Sequence, residues 1–336
     1  MSDTLVLPMF ANMHCHLRQG VMLRNVLPHS AAHDGIILPM PNTDPHIANH
    51  VDVSMYFVEI LNELTSLGHE ETELLMTIKM TDDTTPEEIE QVAEQGIFGV
   101  KVYPEGKDSA GRELTTGASH GLTDFFAPRA IECFAMMAKH GLKLLLHGEL
   151  PEADERYAEA YFIPTLLRLH ELFLDLQISV EHVSCEAMVA AIKRLPSHIV
   201  GTVTPQHLLF TRAEMLSNPH LKCKPTIKTV FDRNALWSEV AVGNPKFLWG
   251  PDCAPHPRAA KEKPWEEAAN GCFSAPIQPE LLATKFSERH LEERLADFTS
   301  GFACRRYGLT VPKGTITLVR EPLKVEQEYG GVVPIM

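Results

Sequence analysis

Residues 143–148 read KLLLHG and residues 177–183 read QISVEHV, two short apolar runs that each carry a histidine near the end. The stretch between them, over about residues 163–175, has the length and composition of a helix. Two apolar strands joined by a helix form the unit from which parallel sheets are built, because only a long crossover brings the chain back to run in the same direction. The two runs therefore predict part of a parallel sheet, and the fold depends on how often the unit repeats.

The unit repeats along most of the chain. Apolar runs of strand length alternate with longer amphipathic stretches, a pattern typical of a parallel sheet that is covered on both faces. The predicted strands are residues 5–14, 35–41, 74–80, 97–103, 143–148, 177–183, 199–205 and 246–252. Eight parallel strands in a domain of this size favour a closed (β/α)8 barrel of the TIM type over an open doubly wound sheet.

Helices are predicted between most of these strands. Residues 84–96 begin with a capping box, in which Glu88 follows Thr85 by three positions and Pro86 occupies the first helical position. The other predicted helices are 51–66, 127–140, 163–175, 186–195 and 232–241, with a C-terminal pair over 278–306. We expect a single α/β domain over 1–336, with the barrel over about 5–276 and a C-terminal helical extension over about 277–336.

Charge and composition exclude several classes of function. The net charge of −14 argues against general nucleic-acid binding and against adhesion to an anionic membrane. No long apolar segment is present, and the first residues lack the basic and apolar regions of a signal peptide, so we expect neither membrane span nor export. The seven cysteines are dispersed without a CxxC pair, which is typical of reduced thiols in the cytoplasm.

Residues that can bind a metal lie at the ends of five predicted strands. They are His14 and His16 in the first, Lys101 in the fourth, His147 in the fifth, His182 in the sixth and Asp252 in the eighth. The carboxyl ends of the strands carry the catalytic groups of TIM barrels. An isolated H-x-H pair is more often a solvated or hydrogen-bonded structural pair than a metal site, but five strand ends with such residues indicate a metal centre.

This set predicts a binuclear site. His14 and His16 point to one face of a strand and could hold one metal beside Asp252, while His147 and His182 could hold a second. Two divalent ions about 3.5–4 Å apart need a bridging anion. Lys101 could supply it as a carbamate, formed when the amine reacts with carbon dioxide. Water held between the metals would be a nucleophile near neutral pH, and Asp252 could move its proton to the leaving nitrogen.

A family resemblance rests on nine motifs. HCHLR, MPN, KVYP, LLHGE, EHVS, TPQHL, CKPTIK, GPDCAPH and GCFSAP occur in this order between residue 12 and about residue 276. Together they resemble the dihydroorotases, most closely the shorter monofunctional bacterial type of the amidohydrolase superfamily. The resemblance implies a barrel with two Zn²⁺ ions bridged by carboxylated Lys101. It also implies a homodimer that reversibly converts N-carbamoyl-L-aspartate to L-dihydroorotate in de novo pyrimidine synthesis.

The resemblance also implies residues that bind the substrate. Arg18, Asn42 and His256 match positions that hold the α-carboxylate, and an arginine fork suits a carboxylate well. The backbone around Lys224 and Ala275 would complete the contacts to the ring. A lysine at 224 is a departure, because an apolar residue is usual there.

Thr115 and Thr116 resemble a pair in a mobile loop that closes over the substrate in this family. The segment between Tyr103 and His120 is longer than expected, and residues 261–270 replace what is often a cysteine-rich stretch. A loop of polar residues without a closing role is the alternative.

Two other functions are compatible with parts of the pattern. A hydantoinase-like cyclic amidase would share the metal ligands, so only Arg18, Asn42 and His256 favour a carboxylated ring. A catalytically silent barrel that acts as a scaffold would be expected to lose metal ligands, and here all six are present.

Overall fold

A computed structural model describes residues 4–335 of the chain, so the predicted domain limits at 1 and 336 lie outside the described residues. The strands are β1 Thr4–Pro8, β2 Phe10–Cys15, β3 Asp34–Pro39, β4 Glu73–Leu74, β5 Thr77–Met80, β6 Gly99–Val102, β7 Glu105–Lys107, β8 Glu113–Thr115, β9 Lys143–His147, β10 Gln177–Glu181, β11 Ile199–Val203, β12 Phe247–Trp249 and β13 Thr315–Val319. The helices are α1 Gly20–Ala31, α2 His50–Ser66, α3 Pro86–Glu94, α4 Pro128–His140, α5 Ala158–Leu172, α6 Glu186–Arg194, α7 Pro205–Leu209, α8 Arg212–Ser217, α9 Val230–Val242, α10 Arg258–Lys261, α11 Gln278–Ser287 and α12 Phe302–Tyr307.

Parallel strands form the predicted barrel. One sheet has the order β12-β11-β10-β9-β6-β5 and a second has the order β2-β3-β4, with all of these pairs parallel. β4 and β5 are separated by only two residues and share one position around the barrel. After β12 the chain closes onto β2, where the Asp252 amide donates to the His14 carbonyl at 2.8 Å and the His16 amide donates to Cys253 at 2.9 Å. The prediction of a TIM-type barrel is confirmed.

The first predicted strand is two strands with different partners. β1 pairs with β13 in a separate antiparallel sheet, and only β2 belongs to the barrel. The change of partner occurs where the Met9 amide donates to Gly314 and the Phe10 amide donates to His33. A continuous apolar run does not reveal such a change, since both strands present apolar residues. The C-terminal extension is therefore not wholly helical, because it contains β13.

Five of the predicted helices agree with the structure to within two residues at each end, whereas the helix predicted over 163–175 runs from Ala158 to Leu172. The capping box of α3 is present, with the Thr85 amide donating to the Glu88 carboxylate at 2.8 Å and the Glu88 amide donating to the Thr85 hydroxyl at 3.2 Å. Sequence analysis missed α1, which contains Pro28, and the short helices α7, α8 and α10. Within residues 4–335 no helix combines the length and apolar character that a membrane crossing needs.

Candidate active site

Three of the predicted metal ligands meet at the junction of β2 and β12. The Nε2 atoms of His14 and His16 lie 3.3 Å and 3.0 Å from Asp252 Oδ1. One ligand atom from each residue lies within 4.8 Å of the others, and all three side chains are buried. Imidazole nitrogen with carboxylate oxygen is a donor set that suits zinc and other divalent transition metals.

The remaining predicted ligands extend this cluster. The His182 ring lies 5.1 Å from the His14 ring and 4.5 Å from the His147 ring, measured between centroids. Lys101 on β6 is completely buried, and its Nζ has no hydrogen-bond partner among the described residues. The Nε2 of His14 and the Nδ1 of His182 are also buried without a hydrogen-bond partner in residues 4–335. Buried polar atoms are rarely left unpaired, so these orphaned nitrogens fit a bound cation and a bridging group.

Neighbouring side chains hold the second nitrogen of three of the histidines. His14 Nδ1 lies 2.5 Å from Glu181, His16 Nδ1 lies 2.5 Å from the Asn42 side-chain oxygen, and His147 Nε2 lies 2.7 Å from Glu149. Such partners fix the tautomer and leave the opposite nitrogen free to bind a metal.

Glu149 and Glu181 were missed by sequence analysis. The signal was present, because Glu149 follows His147 by two residues in LLHGE and Glu181 immediately precedes His182 in EHVS.

Burial sets the protonation of the cluster. It lowers the pKa of His16 to about 4 and that of His182 well below its ordinary value, so both rings are neutral and have a free lone pair. Burial also lowers the pKa of Lys101 to about 8, which raises the fraction of neutral amine. For Asp252, burial acts to raise the pKa, but the adjacent His14 and His16 rings outweigh it and hold the pKa well below its usual range, so the carboxyl is ionised.

The backbone at the site is strained. Arg18, His182 and Asp252 have φ values of 62°, 45° and 46°, in the left-handed region that residues with a side chain seldom adopt. Each such residue costs of order 1–3 kcal/mol and persists only where the surrounding structure imposes it. This strain turns the three side chains towards the same space.

That space is a cavity of about 660 Å³. His16, His147, His182 and Asp252 form part of its lining together with Arg18 and His256. Arg18 donates to His256 Nε2 at 3.1 Å and to the Pro255 carbonyl at 3.2 Å. Burial and the Arg18 charge lower the pKa of His256 to about 3, so His256 is a neutral acceptor and Arg18 carries the positive charge.

Only some of the other residues predicted to contact the substrate line the cavity. Asn42 and Lys224 line the cavity, whereas Ala275 does not, and the Ala275 carbonyl lies 2.9 Å from His33 Nε2 in the core. The structure therefore does not bring Ala275 to the site. Thr115 ends β8, and Thr116 is buried with its hydroxyl donating to the Pro104 carbonyl at 2.7 Å. Neither threonine lines the cavity.

Further lining residues were not identified from the sequence. The residues that follow the two threonines contribute to the lining, as do two loops and the ends of β5 and β6. They are Thr43, Asp44, Pro45, His46, Lys79, Tyr103, Gly117, Ala118, Ser119, His120, Ala254, Ala269, Asn270 and Gly271. No periodic pattern marks loop residues that a barrel brings together from distant parts of the chain.

A buried lysine organises one of these loops. Lys261 Nζ donates to the carbonyls of Lys222, Ala269 and Gly271 at 2.8, 3.0 and 2.7 Å. Gly271 has a φ of 149°, and a Cβ there would lie 2.9 Å from the His256 ring. The loop is thus held closely against His256.

We expect Lys261→Met to lower the free energy of unfolding by about 3 kcal/mol, because the carbonyls of Ala269 and Gly271 lose their donor and each unsatisfied group costs about 1–3 kcal/mol. The Lys222 carbonyl keeps the Gly271 amide as a donor. Urea unfolding of the variant measures this. The matched control is Lys263→Met, since Lys263 lies in the same loop and is exposed. Equal stability of the two variants would contradict a bracing role for Lys261.

Comparison with known proteins gives a consistent result. No protein-family model matches the chain. A dihydroorotase of Halorhodospira halophila is 37% identical over 342 residues, which cover 99% of this chain and 95% of that protein. The solved dihydroorotase of Saccharomyces cerevisiae, in complex with 5-fluoroorotic acid, is 28% identical with a TM-score of 0.87, covering 99% and 95% of the two chains. An L-hydantoinase of Arthrobacter aurescens, 17% identical with a TM-score of 0.75 over 91% of this chain and 72% of that one, shares the fold.

Proposed function

The chain belongs to the dihydroorotase family, and from this membership we propose how its own residues carry out the reaction. It is a metal-dependent cyclic amidohydrolase that interconverts N-carbamoyl-L-aspartate and L-dihydroorotate in pyrimidine biosynthesis. The observation that carries the proposal is one cavity with two kinds of site. His16 and Asp252 of the candidate metal cluster line it, and so do Arg18 and His256, which form a hydrogen-bonded pair.

Two Zn²⁺ ions are proposed to bind at the cluster. His14, His16 and Asp252 would hold one ion, and His147 with His182 would hold the other. Lys101 would bridge them as a carbamate, which the unpaired, buried Nζ and its lowered pKa support. When bound, the metals polarise the amide carbonyl and lower the pKa of water.

Asp252 is proposed as the catalytic acid and base. In ring opening it accepts a proton from the attacking water and delivers it to the leaving ring nitrogen, and ring closure reverses these transfers. Its carboxyl is held ionised at neutral pH, as a base must be. It also lines the cavity that would receive the ring.

The proposed substrate clamp consists of Arg18, His256 and Asn42. The Arg18 guanidinium can bind the α-carboxylate of the substrate with the donors that His256 and Pro255 leave free. Asn42 also holds His16, so its amide would link the clamp to the metal cluster. Lys224, which also lines the cavity, would add a positive charge there. This clamp favours a carboxylated ring over the uncharged rings of a hydantoinase-like amidase.

We expect Arg18→Met to raise KM for L-dihydroorotate about 10–100-fold with a much smaller change in kcat. The reason is that a charge-assisted hydrogen bond to the carboxylate, of about 1.5–3 kcal/mol, is lost in both the ground state and the transition state. Arg18→Lys should restore only part of the affinity, because an ammonium lacks the planar fork. Steady-state kinetics of both variants measure the split. A change in kcat alone would argue against the clamp.

The proposal is tested by mixing the purified, zinc-supplied protein with L-dihydroorotate and following ring opening by ultraviolet absorbance. The same protein is then tested with N-carbamoyl-L-aspartate in the reverse direction and with an unsubstituted hydantoin. Turnover of the first two substrates with little of the third is expected. Efficient turnover of hydantoin alone would favour the alternative amidase, and protein that holds two metals without turnover would favour a scaffold.

The proposal extends to the setting of the enzyme. We propose a cytoplasmic homodimer formed by one barrel domain with its C-terminal extension, acting on a small-molecule substrate without nucleic acid or membrane as partner. The seven cysteines are all free and buried, which supports a reducing compartment. Light scattering coupled to size-exclusion chromatography measures the oligomeric state.

A further inference from the structure

Two lysines line the cavity and take no part in the proposed metal binding or proton transfer. Lys79 belongs to β5 and is only 1% exposed, which is unusual for a lysine that forms no ion pair within residues 4–335. Lys224 is half-buried and approaches from the segment before α9. Since both side chains keep their amines at the cavity, each amine needs an acceptor there.

Both amines bind backbone carbonyls of the same loop. Lys224 Nζ donates to the Thr115 carbonyl at 2.6 Å, and Lys79 Nζ donates to the Ser119 carbonyl. Lys79 Nζ also lies 5.6 Å from the centre of the Tyr103 ring, a distance at which a cation is attracted to the ring. The two lysines therefore contact the two ends of residues 115–120, here called the lid segment.

The lid segment lies over the metal cluster. Gly117 has a φ of 143°, and a Cβ there would lie 3.4 Å from the His147 ring. The His120 ring stacks on His46 with centroids 5.8 Å apart. Gly117, Ala118, Ser119 and His120 all line the cavity. The segment is thus a wall of the cavity, and its backbone position decides whether that wall is closed.

We propose that Lys79 and Lys224 are positioning residues that hold the lid segment over the cavity at its two ends, through the carbonyls of Ser119 and Thr115. The inference rests on the proposed function, since it assigns these lysines to the same site. An ammonium has three N–H donors, so each bond to a carbonyl leaves donors for an anion. An anionic substrate in the cavity would therefore add to the forces that keep the lid segment closed.

The test replaces each lysine by methionine, which keeps an unbranched apolar chain out to the ε position and removes the amine. The first readout is amide hydrogen exchange in peptides that span residues 113–122. In the closed structure the Gly121 amide is bonded to Glu105 at 2.6 Å and the Leu122 amide to the Tyr103 carbonyl at 2.8 Å, so both report opening. Lys107→Met is the matched control, since Lys107 is exposed on the hairpin of β7 and β8.

We expect Lys79→Met and Lys224→Met each to speed exchange in these peptides about tenfold or more, with residues 143–148 unaffected. KM for L-dihydroorotate should rise by a similar factor, Lys224→Arg should restore both readouts, and Lys107→Met should change neither. Because Lys224 is only half-buried, its variant gives a result even if Lys79→Met fails to fold.

Unchanged exchange in a folded Lys224→Met protein would overturn the inference, and so would an equal effect of Lys107→Met. Loss of kcat with unchanged exchange would also overturn it, since the lysine would then act on the reaction and not on the lid segment. Exchange does not depend on turnover. An unreactive wild-type protein whose lysine variants still open the segment would therefore refute the proposed function and leave the lid role intact.

Discussion

Lys101→Ala is expected to lower kcat about 1,000-fold or more and to reduce the bound metal below two ions per chain. The reason is the position of Lys101, which is fully buried beside the histidine cluster with its Nζ unpaired among the described residues. Without a bridging anion, two divalent ions about 3.5–4 Å apart would repel each other. Metals supply several kcal/mol of transition-state stabilisation, and each 1.36 kcal/mol lost is a factor of about ten in rate.

Chemical rescue separates a bridging role from a packing role. Acetate or propionate can enter the space left by the lysine side chain and supply a carboxylate in place of the carbamate. Added carboxylate should therefore raise both the metal content, measured by elemental analysis, and kcat. Lys313→Ala, at an exposed lysine, is the control. Neither its metal content nor its kcat should change when carboxylate is added. A Lys101→Ala protein that retains two metals and normal kcat would refute the bridge.

The barrel and the meeting of His14, His16 and Asp252 could be predicted because they depend on local pattern. Short apolar runs identify buried strands, and parallel strands bring their carboxyl ends to one face of the barrel. A histidine or aspartate at such an end therefore has a predictable location even when its partner is far away in sequence. His14 and Asp252 are 238 positions apart by number, yet their ring and carboxylate atoms lie 3.3 Å apart.

The features that could not be predicted depend on contacts between segments that are far apart in the sequence. The partner of β1 is β13 at the other end of the chain, and nothing in either strand specifies the other. The sequence predicts that Lys79 lies in a strand but not which way its side chain points. Its acceptor, the Ser119 carbonyl in the lid segment, is known only from the structure. Ala275 matches a family motif, yet its carbonyl is already bonded to His33. Motif matching assigns a position in the chain, whereas a contact depends on which way the backbone turns.

The backbone strain at Asp252 decides which substitution can test its proposed role as the catalytic acid and base. Its φ of 46° lies in the region that Asn and Asp tolerate better than other residues with a side chain. Asn is therefore the substitution that preserves the local backbone and removes only the ionisable group. Ala at this position would combine strain with loss of the carboxylate, and its effect could not be assigned to either.

We expect Asp252→Asn to lower kcat about 100- to 10,000-fold, the range typical for loss of a general acid or base, while the protein remains folded. Asn keeps an oxygen beside His14 and His16, and His147, His182 and Lys101 are unchanged, so the protein should still bind at least one metal. Initial rates with L-dihydroorotate, divided by the metal content of each protein, measure the loss of kcat. Asp83→Asn, at an exposed carboxylate, is the control. If Asp252→Asn retains kcat within tenfold of the wild type at equal metal content, the proton is carried by another group, and the role of Asp252 is to hold the two histidines in place.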